Sequence, residues 1–307
     1  MSSTRQNILN TLAYFDIFRY PLTKEEILLF HADRTSQAVI DSALMTMCEE
    51  GSVYKLDRFY SIQNNIALAQ RRRSGNEFAM EQMKVAYKAA KILSKFPYVK
   101  GLAISGSLSK NFADESTDID FFIIATANRV WIARTLMHLF YKLNFFTGHQ
   151  RWFCMNYYVD EARLEIEEKN IFTAMEIATL LPMYGKEVLN DFMITNAWVK
   201  EYYPLCNTNM DAALPVKKGF FSRLLEKIFN KGLGARIDDR LMNITKKRWQ
   251  RKMDRQMKNR KGMPLGMLVN KHYAKPNPVF FQEKIIEMYQ AKINGLHRMQ
   301  EEPVKAL

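Results

Sequence analysis

Cysteine and histidine are scarce in this chain, three of one and five of the other in 307 residues. Cys48, Cys154 and Cys206 are odd in number, far apart and set among apolar neighbours. That pattern argues against a disulfide framework and predicts free thiols in a reducing cytoplasm. His31, His138, His149, His272 and His297 follow no ligand spacing, which leaves a zinc site without support. Long hydrophobic runs are also missing. The most apolar window, "VWIARTLMHLFYKLNFF", is broken by Arg134, His138 and Lys142, short of the roughly 18 apolar residues a membrane span needs. Asn7, Asn10 and Asp16 interrupt the first hydrophobic residues, so no secretion signal is expected. Neither a repeat nor a low-complexity tract is found. What is there is an ordinary globular composition, 48% hydrophobic, in a chain long enough for two or three compact units.

The formal net charge of +13 is concentrated in one place. Between Lys217 and Lys261, sixteen Lys or Arg face only Glu226, Asp238, Asp239 and Asp254, a local balance of +12. The rest is close to neutral. Within this segment "KKGFFSRLLEKIFNKGLG" sets Phe220, Phe221, Leu224, Leu225, Ile228 and Phe229 on one helical face beside Lys217, Arg223 and Lys227. Such a basic amphipathic helix suits RNA or DNA, an anionic membrane, or attraction of a polyphosphate substrate. Docking of its apolar face on the protein body, with the lysines left in water, is the favoured expectation.

The N-terminal residues read as three helices and a hairpin. Ile8, Leu12 and Phe15 recur at helical spacing, Thr23 and Glu26 form a capping-box pattern, and residues 36–50 place Val39, Ile40, Ala43, Leu44 and Met47 on one face. "SVYKLDRFYSIQ" follows as two strands around Leu56-Asp57-Arg58. Three helices and a hairpin make a winged helix-turn-helix. Its third helix carries no Lys or Arg and ends in Glu49-Glu50, so a packing or protein-contact role is favoured over DNA. "RRRSG" at 71–75 is read as a solvated junction ahead of a long helix over residues 76–96.

The informative stretch is "AISGSLSKNFADESTDIDFFIIA", residues 103–125. Asp118 and Asp120 stand two apart at the start of an apolar strand and leave it on the same face. Neighbouring carboxylates repel unless a cation lies between them. Mg²⁺ is the natural choice, because it binds one or two carboxylates together with substrate phosphates. Upstream, Gly106-Ser107 ends another strand, where glycine admits close approach of a ligand and the following amides cradle phosphate oxygens. Lys110 is within range of a terminal phosphate.

A strand ending in Gly-Ser, a spacer near ten residues and Asp-x-Asp opening an apolar strand resembles the polymerase-beta-like nucleotidyltransferases, in particular their small-substrate members. The likeness covers residues 76–204. It implies an α+β fold with a small mixed sheet, two Mg²⁺ ions held by Asp118 and Asp120, and a nucleoside triphosphate, ATP first, bound at Gly106, Ser107 and Lys110. It also implies transfer of the nucleoside monophosphate to a hydroxyl of an unidentified acceptor. Active members place a third carboxylate on the next strand, here "RWFCMNYYVDE", where the central polar residue is Asn156. An amide oxygen coordinates Mg²⁺ but is no general base. Asp160 shares the strand parity of Asn156 about 13 Å further on. The third acid is therefore Asp160, Glu161 or Glu165 after a bend, or two acids suffice, or the site is catalytically silent and only senses nucleotide. The expected organisation is 1–70 winged-helix-like, 71–205 nucleotidyltransferase and 206–307 basic and helical.

Overall fold

The computed structural model describes residues 3–144, 148–230, 232–258, 262, 264–275 and 279–301. The N-terminal part is α1 (Ser3–Asp16), α2 (Lys24–Leu29), α3 (Gln37–Glu49) and an antiparallel hairpin of β1 (Tyr54–Leu56) and β2 (Phe59–Ser61). Thr23 caps α2 in a closed capping box with Glu26, as the sequence pattern requires. Ile8, Leu12, Phe15, Ile40, Leu44 and Met47 are buried, whereas Val39 faces solvent.

The next helix, α4 (Ile66–Leu93), departs from expectation. It starts ten residues before Asn76 and runs without a break through "RRRSG", because Asn65 supplies the cap by accepting the Ala67 N–H. Arg72 is not solvated. It is 3% exposed, paired with Glu26 at 2.7 Å, bonded to the Pro21 carbonyl and stacked 3.6 Å from the Tyr20 ring centre. A buried guanidinium whose two terminal nitrogens are bonded to Pro21 and Glu26 ties the long helix to the N-terminal helices.

The centre of the molecule is a mixed sheet of order β6-β3-β4-β5-β8-β7. In chain order it is built from β3 (Val99–Ser105), the short α5 (Gly106–Ser109), β4 (Asp120–Ala125), α6 (Val130–Leu143), a 3-10 turn (Gln150–Phe153) and β5 (Cys154–Asp160). Then come α7 (Ile171–Ala178), β6 (Leu181–Tyr184), α8 (Lys186–Thr195) and α9 (Val199–Tyr202). The basic region follows as α10 (Phe220–Ile228), α11 (Gly232–Asp254), β7 (Leu268–Val269), β8 (Tyr273–Lys275) and α12 (Val279–Glu301). β3 runs antiparallel to β4 and β6, and β4 runs parallel to β5. Three strands, β6, β7 and β8, lie where the sequence reads as helical throughout. Pro182, inside β6, and Gly185, just after it, keep α7 from continuing through this strand.

Strand alternation divides the core in two. Phe122 and Ile124 join a cluster shared by α1 to α3, α7 to α9 and α12, while Phe121, Ile123 and Ala125 face a second cluster with α4, α6 and α11. The N-terminal helices thus share one apolar core with one face of the sheet.

In the basic region, Trp249 of α11 meets Trp131 of α6 edge-on, and Asp238 accepts the Ile132 N–H at 2.8 Å. Burial pushes the Asp238 carboxyl up to about 6, against the amides of Ile132 and Trp131, and its second oxygen has no partner. The folded chain therefore keeps this proton at pH values where the unfolded chain has lost it, so stability falls as pH rises from 3.8 through about 6. Asp238→Asn retains an acceptor for Ile132 and carries no charge. We expect it to abolish that slope, about 3 kcal/mol in all, and to raise Tm at neutral pH; thermal melts across the window measure both.

α10 corrects the docking expectation. Ser222, Leu225, Glu226 and Phe229 face the body, while Phe220, Phe221, Leu224 and Ile228 are exposed. Among the described residues no helix is long and apolar enough to cross a membrane.

Candidate functional site

The site is built where β3 ends and β4 begins. Ser105 and Asp120 are paired neighbours in the antiparallel ladder, so the turn after β3 and the carboxylate opening β4 meet by register. Gly106 has φ +71, and a Cβ there would fall inside the contact radius of Asp120 Oδ2 and 3.2 Å from Asp120 Cγ. The backbone sign favours glycine, and a Cβ would have to push the Asp120 carboxylate aside. Ser107 follows in α5, half-buried, and its carbonyl accepts the amides of Lys110 at 3.0 Å and Phe112 at 3.1 Å, closing the turn.

Asp118 lies on the approach to β4 and Asp120 is its first residue; Ile119 between them is buried, so both carboxylates stay on the half-exposed side. The Asn156 side chain donates to Asp120 Oδ1. It reaches that oxygen because the β4–β5 ladder is irregular there. Phe121 pairs with Met155 and Phe122 with Tyr157, which leaves Asn156 as an extra residue whose side chain the bulge re-aims. Cys154, paired with Asp120, donates its thiol to Asn156 Oδ1 at 3.2 Å. That thiol is held well above its ordinary value, first by burial and then by the charges of Asp120 and Asp118.

The structure does not bring Asp160 to this corner. It aligns with Ala125 at the far end of β4, about 17 Å of strand from Asp120. There it is fully buried and accepts the amides of Asn128 at 2.8 Å and Ala162 at 3.1 Å, and it lies 2.9 Å from His272 Nδ1. A carboxylate with this many partners is a structural anchor for the edge of the sheet. Glu161 pairs with Lys100 and Glu165 with Lys169, each away from the pair.

An acid that the sequence reading missed does arrive. Glu176, on α7, accepts the Gly106 N–H at 3.3 Å and the Lys110 ammonium at 2.8 Å, while Lys110 also reaches the Gly106 carbonyl at 3.1 Å. The contact with Gly106 bounds the distance from Glu176 Oε2 to Asp120 Cγ at about 9 Å. The signal was available: Glu176 is the lone charge between Ile171 and Tyr184.

The donor set suits a hard cation. Asp118 and Asp120 offer carboxylate oxygens, Asn156 an amide oxygen if its side chain turns over, and the protonated Cys154 is a poor ligand for soft metals. Among the described residues no cluster of three or more His, Cys, Asp or Glu is arranged to hold a metal, so protein carboxylates alone do not complete a shell. No family model, curated protein or solved structure matches the chain.

Proposed function

We propose that the protein is a Mg²⁺-dependent nucleotidyltransferase, which moves a nucleoside monophosphate from a nucleoside triphosphate, ATP first, to a hydroxyl of an acceptor. The observation that carries this reading is the close contact of Gly106 with Asp120, which sets the turn after β3 against the carboxylate that opens β4, two residues from Asp118. Mg²⁺, held by Asp118 and Asp120, would supply neutralisation of triphosphate charge and acidify the acceptor hydroxyl. The acceptor oxygen forms a bond to the α-phosphorus, the α–β bridging bond breaks, and pyrophosphate leaves.

Glu176 gives this site its own logic. Its carboxylate already occupies the two donors, the Gly106 N–H and Lys110, that a phosphate group would take. We read the bound state as an exchange. Triphosphate oxygens displace Glu176, Lys110 turns to the phosphate, and the released carboxylate becomes available to take the acceptor proton. Glu176→Gln is expected to tighten nucleotide binding several-fold and to lower turnover at least tenfold. Calorimetric titration beside a pyrophosphate-release assay measures the two together, and weaker nucleotide binding in the variant would remove the exchange from the account.

A second reading is a catalytically silent nucleotide sensor, favoured by Asn156 in the position of a third acid on β5. Nucleotide binding without pyrophosphate release for any acceptor would establish it. The N-terminal helices and hairpin are read as a winged helix that packs rather than binds DNA, since α3 bears no basic residue.

A further inference from the structure

α10 divides its residues unusually. Ser222, Leu225, Glu226 and Phe229, spaced as one helical face, turn toward the body. There Ser222 donates to the Lys95 carbonyl, and Glu226 accepts the Tyr98 N–H at 2.6 Å and pairs with Lys218. The outward arc is Phe220 (75% exposed), Phe221 (78%), Leu224 (43%) and Ile228 (51%), bordered by the exposed Arg223 and Lys227. Two adjacent phenylalanines three-quarters exposed on a well-formed helix are a costly surface in water.

The exposed charge of this region is mainly positive, although Asp239, half-exposed and 3.9 Å from Lys271, and the exposed Asp254 also lie on α11. The helix's only acid, Glu226, is turned inward and neutralised, and Asp238 of α11 is buried. Lys246, Lys247, Arg248 and Arg251 of α11 face solvent, as do Lys91 and Lys95 at the end of α4 beside Ser222. Arg134, Lys142, Arg248 and Lys252 act on His138, which burial and then these charges hold down to about 4.

We propose that α10 seats the protein on an anionic lipid surface, with Phe220, Phe221, Leu224 and Ile228 entering the headgroup region and the surrounding Lys and Arg contacting acidic headgroups. Nucleic acid has no use for a Leu and Ile stripe, because its phosphates seek charge and its bases seek flat rings. A second copy would bring the same basic border against itself. The orientation is workable: α10 packs at Tyr98, the start of β3, so roughly 25 Å of strand separates it from the Gly106 corner.

The test is co-sedimentation of the full chain with vesicles of phosphatidylcholine alone, or with about 30% phosphatidylserine, in about 0.1 M and then about 0.5 M salt. Binding is expected on the anionic vesicles, at least tenfold weaker on the neutral ones, and lost at high salt. Phe220→Ser with Phe221→Ser should weaken it about tenfold at unchanged Tm, since both rings are exposed. Arg223→Ser with Lys227→Ser should weaken it only on anionic vesicles. Failure of the wild type to pellet with anionic vesicles would overturn the proposal. So would wild-type binding by the Phe variant, tighter binding to single-stranded RNA than to vesicles, or a dimer that the Phe variant dissolves.

Discussion

Alanine at position 106 is expected to abolish Mg²⁺-dependent nucleotide binding while leaving the protein folded. Two costs meet at this residue. A left-handed φ of +71 costs an L residue about 1–2 kcal/mol. The new methyl also displaces the Asp120 carboxylate, whose Oδ2 and Cγ lie against it. The methyl meets the far end of a flexible Asp120 side chain and not backbone, so the fold survives with a Tm lower by a few degrees. Rotation of that side chain, however, takes Asp120 out of the corner and breaks its bond from Asn156. Function and stability should therefore separate, with nucleotide affinity falling by about a hundredfold or more, the equivalent of about 3 kcal/mol. Differential scanning fluorimetry in EDTA and calorimetric titration with Mg²⁺ and ATP give the two readouts. A variant that binds nucleotide as the wild type does would show that the Gly106–Asp120 contact is ordinary packing.

Asp118→Asn combined with Asp120→Asn should cost at least about a thousandfold in pyrophosphate release, because in the proposed reaction both carboxylates would hold the Mg²⁺ that neutralises developing phosphate charge. In EDTA the same variant should be no less stable than the wild type. The two side chains are half-exposed, isosteric with their replacements, and relieved of mutual repulsion when uncharged. A structural pair would behave in the opposite way, losing stability in EDTA and retaining turnover in proportion to the folded fraction.

Local signals were legible in the sequence where chemistry and spacing coincide. The capping box at Thr23 and Glu26, the strand pair around Gly106 and Asp120, and the inward side chains of α1 and α3 all follow from neighbours in the chain. Long-range partners were not legible. β7 and β8 are two and three residues long and are strands only because the edge of β5 is there to pair with β8, which in turn pairs with β7. Arg72 reads as one of three adjacent charges until Glu26 and Tyr20 are folded against it. Asp160 was placed in the site by strand parity, but β5 carries it to the opposite end of the sheet. The bulge at Asn156 also breaks that parity, and pairing geometry decides a bulge, not composition. Glu176 enters from a helix seventy residues beyond Gly106, a distance no local pattern spans.

The proposed exchange at Glu176 and the carboxylate pair rest on one claim, that the corner of Gly106, Asp118 and Asp120 holds a Mg²⁺–nucleotide. Calorimetric titration of ATP, GTP, CTP and UTP into the wild-type protein, with Mg²⁺ and again with EDTA, tests it directly. The account predicts saturable one-to-one binding of at least one triphosphate that requires Mg²⁺ and disappears in Asp118→Asn with Asp120→Asn. Absence of binding for all four, or binding of equal strength in EDTA, would contradict it.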